Sequence, residues 1–125
     1  VLIRHRTASF GYGLYGMIGG NVQQGEALLR AIKRKVFEEV GLNISKEAFV
    51  LSHMFHCKIE KEEFIIACFK ADISKLQQPC NKQSDKHDDV QFFSINQLPK
   101  NISPAHKQII ECIENGILYS EHGWE

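Results

Sequence analysis

The sequence predicts an α/β protein of the α+β type, built as an α/β/α sandwich with a mixed β-sheet between two helices. Three observations predict it. Apolar residues recur at helical spacing in residues 26–40 and again in 104–115. Residues 49–59 alternate at strand spacing, and an apolar run at 63–71 follows a charged turn. Helices and strands mixed in this way, with neighbouring strands joined as a hairpin, are covered by packing helices against the sheet.

The elements follow in chain order. Residues 1–6 read as a short strand, and 7–13 as a loop broken by Gly11 and Gly13. Residues 14–18 read as extended and lead into Gly19 and Gly20. The helix 26–40 is stopped by Gly41 as a left-handed residue after its last turn. Along 49–59 the alternation places Phe49, Leu51, Phe55, Cys57 and Ile59 on one face, with residues 58–63 as the turn of a hairpin. Residues 75–89 are polar and irregular, and 90–94 form a further strand. Ser103 and Pro104 open the last helix, which runs to Asn115 before Gly116. The tail 119–125 carries Trp124, read as a packing anchor. The whole reads as one domain, 1–125.

A chain of 125 residues with 43% hydrophobic and 24% charged residues can bury a core without staples. Its 15 Lys and Arg balance its 15 Asp and Glu. That argues against a general binder of long nucleic acid or of a membrane surface, which needs a basic excess, and leaves room for one small phosphate-binding patch. No apolar run approaches a membrane span and no signal peptide is visible. Cys57, Cys68, Cys80 and Cys112 form no C-x-x-C pair and read as reduced thiols of a cytoplasmic protein. His53 and His56 fall on opposite faces of a strand, so a shared zinc is not expected.

The chemistry is concentrated on the helix 26–40. Wound at about 100° per residue, it gathers Leu28, Leu29, Ile32, Val36 and Val40 into one apolar stripe. Glu39 projects into that stripe, Lys35 and Glu38 flank it, and Arg30 and Arg34 lie on the wetter side. A carboxylate in an apolar face costs several kcal/mol unless a positive charge compensates it. A bound cation would compensate it, and so would Lys35, one turn before Glu39. The alternative is a plain helix end with a solvated Glu–Glu pair. Gly19 and Gly20 precede the helix by a short loop, and such glycines let backbone approach phosphates or donate a carbonyl to a metal. A glycine loop followed by clustered carboxylates suits Mg²⁺-assisted phosphate chemistry.

From Gly20 the chain reads five residues, Glu26, seven residues, then Arg34, Lys35, Val36, Phe37, Glu38, Glu39, Val40, Gly41, Leu42. This resembles the Nudix signature G-x(5)-E-x(7)-R-E-U-x-E-E-x-G-U, in which U is aliphatic. Every constrained position matches except one, where Lys35 replaces a Glu. The likeness extends to residues 1–6, to Gln91-Phe92-Phe93 with the following Asn96-Gln97-Leu98-Pro99, and more weakly to residues 81–86 and 121–124, which are similar to a MutT-like bacterial subgroup.

The resemblance implies a Nudix-like sandwich that hydrolyses a pyrophosphate bond in a small nucleoside diphosphate or triphosphate derivative with Mg²⁺ or Mn²⁺, as a monomer or homodimer. It also implies a further strand before Val1, paired with residues 1–6. By position, Glu38 and Glu39 would be metal ligands and Arg34 would orient a carboxylate. A carbonyl of the Gly19–Gly20 turn would be another ligand, and Glu26 would support the loop or the outer metal shell. Gly19, Gly20, Arg4 and Tyr15 are the candidate substrate contacts; Phe10, Tyr12 and Tyr15 could stack on a base, with core or loop packing as the alternative. Lys35 changes the local charge from −1 to +1, each unit being worth about 4 kcal/mol at an effective dielectric of 20. Fewer metals, or acids recruited from Asp85, Asp88 and Asp89, would answer that. The competing reading is a non-catalytic domain that binds a nucleotide-like ligand or a protein, with Lys35 in the cation's place and its ammonium against Glu38 or Glu39.

Overall fold

The computed structural model describes residues 2–5, 13–76, 78–83 and 87–124, and of residues 2–5, 87 and 88 the backbone alone. Strand β1 (Leu2–His5) is followed by β2 (Tyr15–Met17), helix α1 (Leu28–Val40), the hairpin β3 (Val50–Ile59) and β4 (Glu62–Lys70), β5 (His87–Gln91), helix α2 (Pro104–Glu114) and β6 (Tyr119–His122). Single 3-10 turns lie at Lys46–Ala48 and Ile95–Gln97. The α+β sandwich stands, but its strands form two three-stranded sheets, β2-β1-β5 and β4-β3-β6. The first is antiparallel throughout. The second is mixed, because β6 runs parallel to β3. Both edges of β1 are taken by β2 and β5. The strand expected before Val1 lies outside the described residues.

Alternation in β2 puts the helices on opposite faces. Tyr15 and Met17 pack toward α2, with Ile102, Phe93, Leu98 and Ile110. Ile18, of the other parity, packs beneath α1 with Val36, Val40, Leu42, Ile44 and Val90. The second sheet turns Phe55, Cys57 and Cys68 toward Ala105 and Ile109 of α2. The register agrees, since Cys57 faces Phe64 and Phe55 faces Ile66 across the hairpin. All four cysteines are free thiols. Burial pushes the Cys68 thiol up to about 11, so it stays protonated as a small core residue.

Local chemistry accounts for the boundaries. Gly41 caps α1 at φ 74°, and its N–H donates to the Phe37 carbonyl at 3.0 Å. Cys80 and Lys82 donate their N–H groups to the carbonyls of Val40 and Glu39, each at 3.0 Å, so the 80–82 segment satisfies acceptors that a helix end leaves open. The hairpin turn narrows to Glu60 and Lys61, with Glu60 at φ 56°.

Several sequence expectations are corrected. Helix α1 begins at Leu28 rather than at residue 26. Leu28 is 51% exposed and Leu29 is also exposed, so the buried stripe starts one turn later, at Ala31. Leu51 is exposed because the register slips between Leu51 and His53, a bulge that breaks the alternation on which it was placed inward. Phe49 joins the α1 cluster instead of the face of Phe55. The late strand ends at Gln91, so Phe92 and Phe93 lie beyond it. The tail forms β6, and Trp124 anchors there, donating to the His56 carbonyl at 3.1 Å with its ring 4.5 Å from the His56 ring.

Ile109 is 1% exposed at the centre of the α2 contact, whereas Phe37 lies on the exposed side of α1. Ile109→Ala is expected to cost about 2–5 kcal/mol. Phe37→Ala, a surface change, is expected to cost about 0.5 kcal/mol or less. Urea denaturation of both variants measures the difference, and equal losses would show that α2 is not docked as described.

Candidate active site

The last three turns of α1 and the loop before it carry the charged cluster. Arg34 is its hub. Its Nε donates to Glu26 Oε2 at 2.7 Å and its Nη2 to Glu26 Oε1 at 3.0 Å, a bidentate fork. Nη1 reaches both oxygens of Glu38, at 3.2 and 3.3 Å, and Nη2 also donates to the Asn21 carbonyl at 3.2 Å. The Gln23 N–H donates to Glu26 Oε1 at 3.0 Å. One guanidinium thus fastens the glycine loop to the helix. Arg34, expected on the wetter side, reaches Glu38 along the helix through the i,i+4 spacing.

Lys35 Nζ lies 3.7 Å from Glu38 Oε2, as the sequence led us to expect of at least one of the two carboxylates. The described ion pair is with Glu38, three residues on, rather than with Glu39. Gly20 backs the same side chain: a Cβ added there would sit 2.4 Å from Lys35 Cε and 3.0 Å from Nζ. The missing side chain of Gly20 is what lets the lysine lie against the loop. Glu39 is 4% exposed, inside the apolar stripe beside Val36 and Val40.

The structure therefore gathers Glu26, Arg34, Lys35, Glu38 and the Gly20 backbone, with Glu39 buried beside Glu38 on the same turn. Gly19 is exposed and stands clear of neighbouring side chains. Tyr15 is not available for stacking. It is 6% exposed, its ring meets Phe93 edge-on at 5.0 Å, and its hydroxyl donates to Asp89. The Asp89 carboxylate is engaged there and also accepts from Gln91 at 2.6 Å, which places it with Tyr15 rather than with Glu38. Arg4 lies opposite Tyr15 and Asp89 in the register of β1. The Arg4 and Asp88 side chains, and residues Phe10, Tyr12 and Asp85, lie outside what the structure describes. His53 is buried between the Ile117 carbonyl, at 2.7 Å, and Ser120 Oγ, at 2.8 Å, and takes no part in the cluster. Sequence reasoning missed the Asn21 carbonyl and the Gln23 N–H. Both are backbone groups that any residue would present, so no side-chain pattern marks them.

The chain matches the NUDIX domain family over residues 1–112, and it belongs to that family. It is 26% identical over 91 residues to an NAD-capped RNA hydrolase of Schizosaccharomyces pombe, covering 72% of this chain and 23% of that protein. It is 28% identical over 99 residues to an oxidized purine nucleoside triphosphate hydrolase of Danio rerio, covering 79% of this chain and 61% of that protein. The chain thus spans less than two thirds of either curated relative. The crystal structure of a MutT NUDIX hydrolase from Burkholderia pseudomallei superposes with a TM-score of 0.77 at 24% identity, covering 88% of this chain and 84% of that one. Among the described residues, no helix is long and apolar enough to cross a membrane.

The Arg34 fork, helped by the Gln23 N–H, lowers the Glu26 carboxyl from 4.5 to about 2. Because the folded value is depressed, the clamp contributes fully above the ordinary carboxylate range. Its contribution is lost as pH falls through about 2. Carbon-detected NMR titration of the Glu26 carboxyl is expected to give a midpoint near 2, and a midpoint near 4.5 would mean that Arg34 does not hold it in solution.

Proposed function

We propose that this domain hydrolyses a pyrophosphate bond in a nucleoside diphosphate or triphosphate derivative with the help of Mg²⁺ or Mn²⁺. The observation that carries the reading is the Arg34 clamp, which fixes the glycine loop beside Glu38 on the turn that also bears Glu39. Family membership supports it. So do the two relatives, which are named as hydrolases of nucleotide-containing compounds.

Among the described residues, α1 offers a cation two neighbouring carboxylates, Glu38 and Glu39. Among the described residues, no group of three His, Cys, Asp or Glu side chains is placed to hold a metal. Mg²⁺, however, is commonly held by one or two carboxylates, with water and substrate phosphate filling the remaining positions. Glu38 and Glu39 are the carboxylates for that role, with a carbonyl of the Gly19–Gly20 turn as a further oxygen donor. A cation bound there supplies positive charge to polarise the phosphoryl oxygens.

The chain's own residues set the rest. Arg34 holds Glu26 and Glu38 in fixed orientations, so the loop need not be ordered when substrate arrives. In hydrolysis, water adds to one phosphorus, the bridging oxygen leaves with the other phosphate, and the water's proton passes to a base. Glu38 and Glu39 are the acceptors on α1. Glu26 is excluded from that task, because Arg34 keeps it a weak base.

One observation favours a second reading, a nucleotide- or protein-binding domain without catalysis: the Lys35 ammonium already stands beside Glu38. A panel of nucleoside diphosphate and triphosphate compounds, assayed with Mg²⁺ and with Mn²⁺, decides between the two. Turnover of at least one compound is expected, and no turnover of any would favour the binding domain. Lys35→Glu is expected to raise Mg²⁺ affinity about tenfold or more, and to raise hydrolysis at saturating substrate, since reversing a nearby charge outweighs the ~1.4 kcal/mol that tenfold represents. The same change should lower the melting temperature of the metal-free protein by crowding carboxylates. If all three quantities stayed as in the wild type, Lys35 would be an ordinary surface residue.

A further inference from the structure

We propose that Lys35 is a diphosphate-binding residue of this site, whose ammonium moves from Glu38 to a phosphate oxygen when the ligand enters. The inference rests on the hydrolase reading for its ligand class and goes beyond it in assigning the contact.

The cluster holds two cations, and they differ in how far they are committed. Arg34 directs its Nε, Nη1 and Nη2 to Glu26, Glu38 and the Asn21 carbonyl. Releasing it would unfasten the loop. Among the described residues, Lys35 makes one ion pair, at 3.7 Å. A charge-assisted N–H···O bond is shorter, about 2.7–2.9 Å, and the Lys35 ammonium makes no hydrogen bond to any described residue. Among the described residues its three donors are unfilled, its side chain is 19% exposed, and its long stem allows the head to swing.

Position supports the same assignment. The stem lies against Gly20, where a Cβ would occupy the space now held by Lys35 Cε. The ammonium therefore stands at the junction of the glycine loop with the carboxylate turn, between the backbone suited to phosphate approach and the oxygens suited to a cation. Glu26, Glu38 and Glu39 face Arg34 and Lys35 here, and Arg30 adds a further positive charge that acts on Glu26. A diphosphate entering beside Glu38 meets that carboxylate unless a cation turns toward it, and Lys35 is the cation standing between Gly20 and Glu38. Its departure would also uncover Glu38 Oε2. Diphosphate binding and cation binding at Glu38 should then favour each other, and by linkage the effect is mutual.

The test is titration of the whole chain with inorganic pyrophosphate by calorimetry, with excess chelator to remove divalent cations. The wild type is expected to bind, Lys35→Met to bind about tenfold more weakly, and Lys35→Arg to stay within about threefold of the wild type, because it keeps the charge. Melting temperatures establish that each variant is folded. No binding by the wild type, equal binding by Lys35→Met, or equal losses in Lys35→Met and Lys35→Arg would each overturn the proposal. Hydrolysis does not enter this readout. An inactive chain that bound pyrophosphate through Lys35 would sink the hydrolase reading alone, and an active chain whose affinity ignored Lys35 would sink this one alone.

Discussion

Arg34 joins two pieces of chain that would otherwise be independent. Its guanidinium reaches a carboxylate eight residues back, a carbonyl thirteen residues back and a carboxylate one turn ahead. The loop between Gly20 and Leu28 has no regular structure to hold it, so its position beside the helix depends on this hub and on the N–H of Gln23. Three acidic side chains on and before one helix would repel one another and splay the loop outward. Arg34 and Lys35 pair with two of them, Glu26 and Glu38, and Arg34 draws the loop inward. Bidentate pairing needs the planar fork of arginine, and a lysine at position 34 would hold one carboxylate at a time.

The hub in turn depends on which side of α1 is dry. Val36 and Val40 lock the helix over Ile18, Leu42 and Ile44. Rotation about the helix axis would drag Glu39 out of its buried place and the Arg34 fork away from Glu26. The C-terminal end is held as firmly, by the left-handed Gly41 and by the N–H groups of Cys80 and Lys82. The carboxylate turn is thus fixed from three directions by groups that take no part in chemistry. The second helix serves the opposite face, where Tyr15 and Met17 of β2 meet Ile102 and Ile110.

Much of this was legible in the sequence, for identifiable reasons. The spacing of Arg34, Lys35, Glu38 and Glu39 on one helix, after Gly20 and Glu26 in the loop, marked the charged cluster, and it put Lys35 within reach of Glu38 or Glu39 without choosing between them. Gly41 was readable because few residues accept a positive φ. What escaped was set by tertiary context. Leu28 and Leu29 fit the apolar stripe, yet no core lies under the first turn, so they stay exposed. The bulge at Leu51 and His53 is invisible to a count of alternation. Tyr15 was read as a candidate ligand contact from its nearness to the glycines, but Phe93 and Asp89, over seventy residues away in sequence, draw it into the interior. The polar run 119–122 carries no apolar pattern, and it becomes a strand because β3 offers a free edge.

That last strand bears on how the chain is made. β6 joins the sheet at the free edge of β3, pairing Met54 with Tyr119 and Cys57 with His122 across more than sixty residues. During synthesis, the β3–β4 hairpin can close as soon as it leaves the ribosome, but one edge of β3 stays open until residues 119–122 have emerged. An unpaired edge is a template for pairing with other chains. His53, bonded to the Ile117 carbonyl and Ser120, lacks its final partners over the same interval. The nascent protein is therefore most exposed to misassociation just before translation of this segment ends, when α1 and its charged cluster are already complete in sequence.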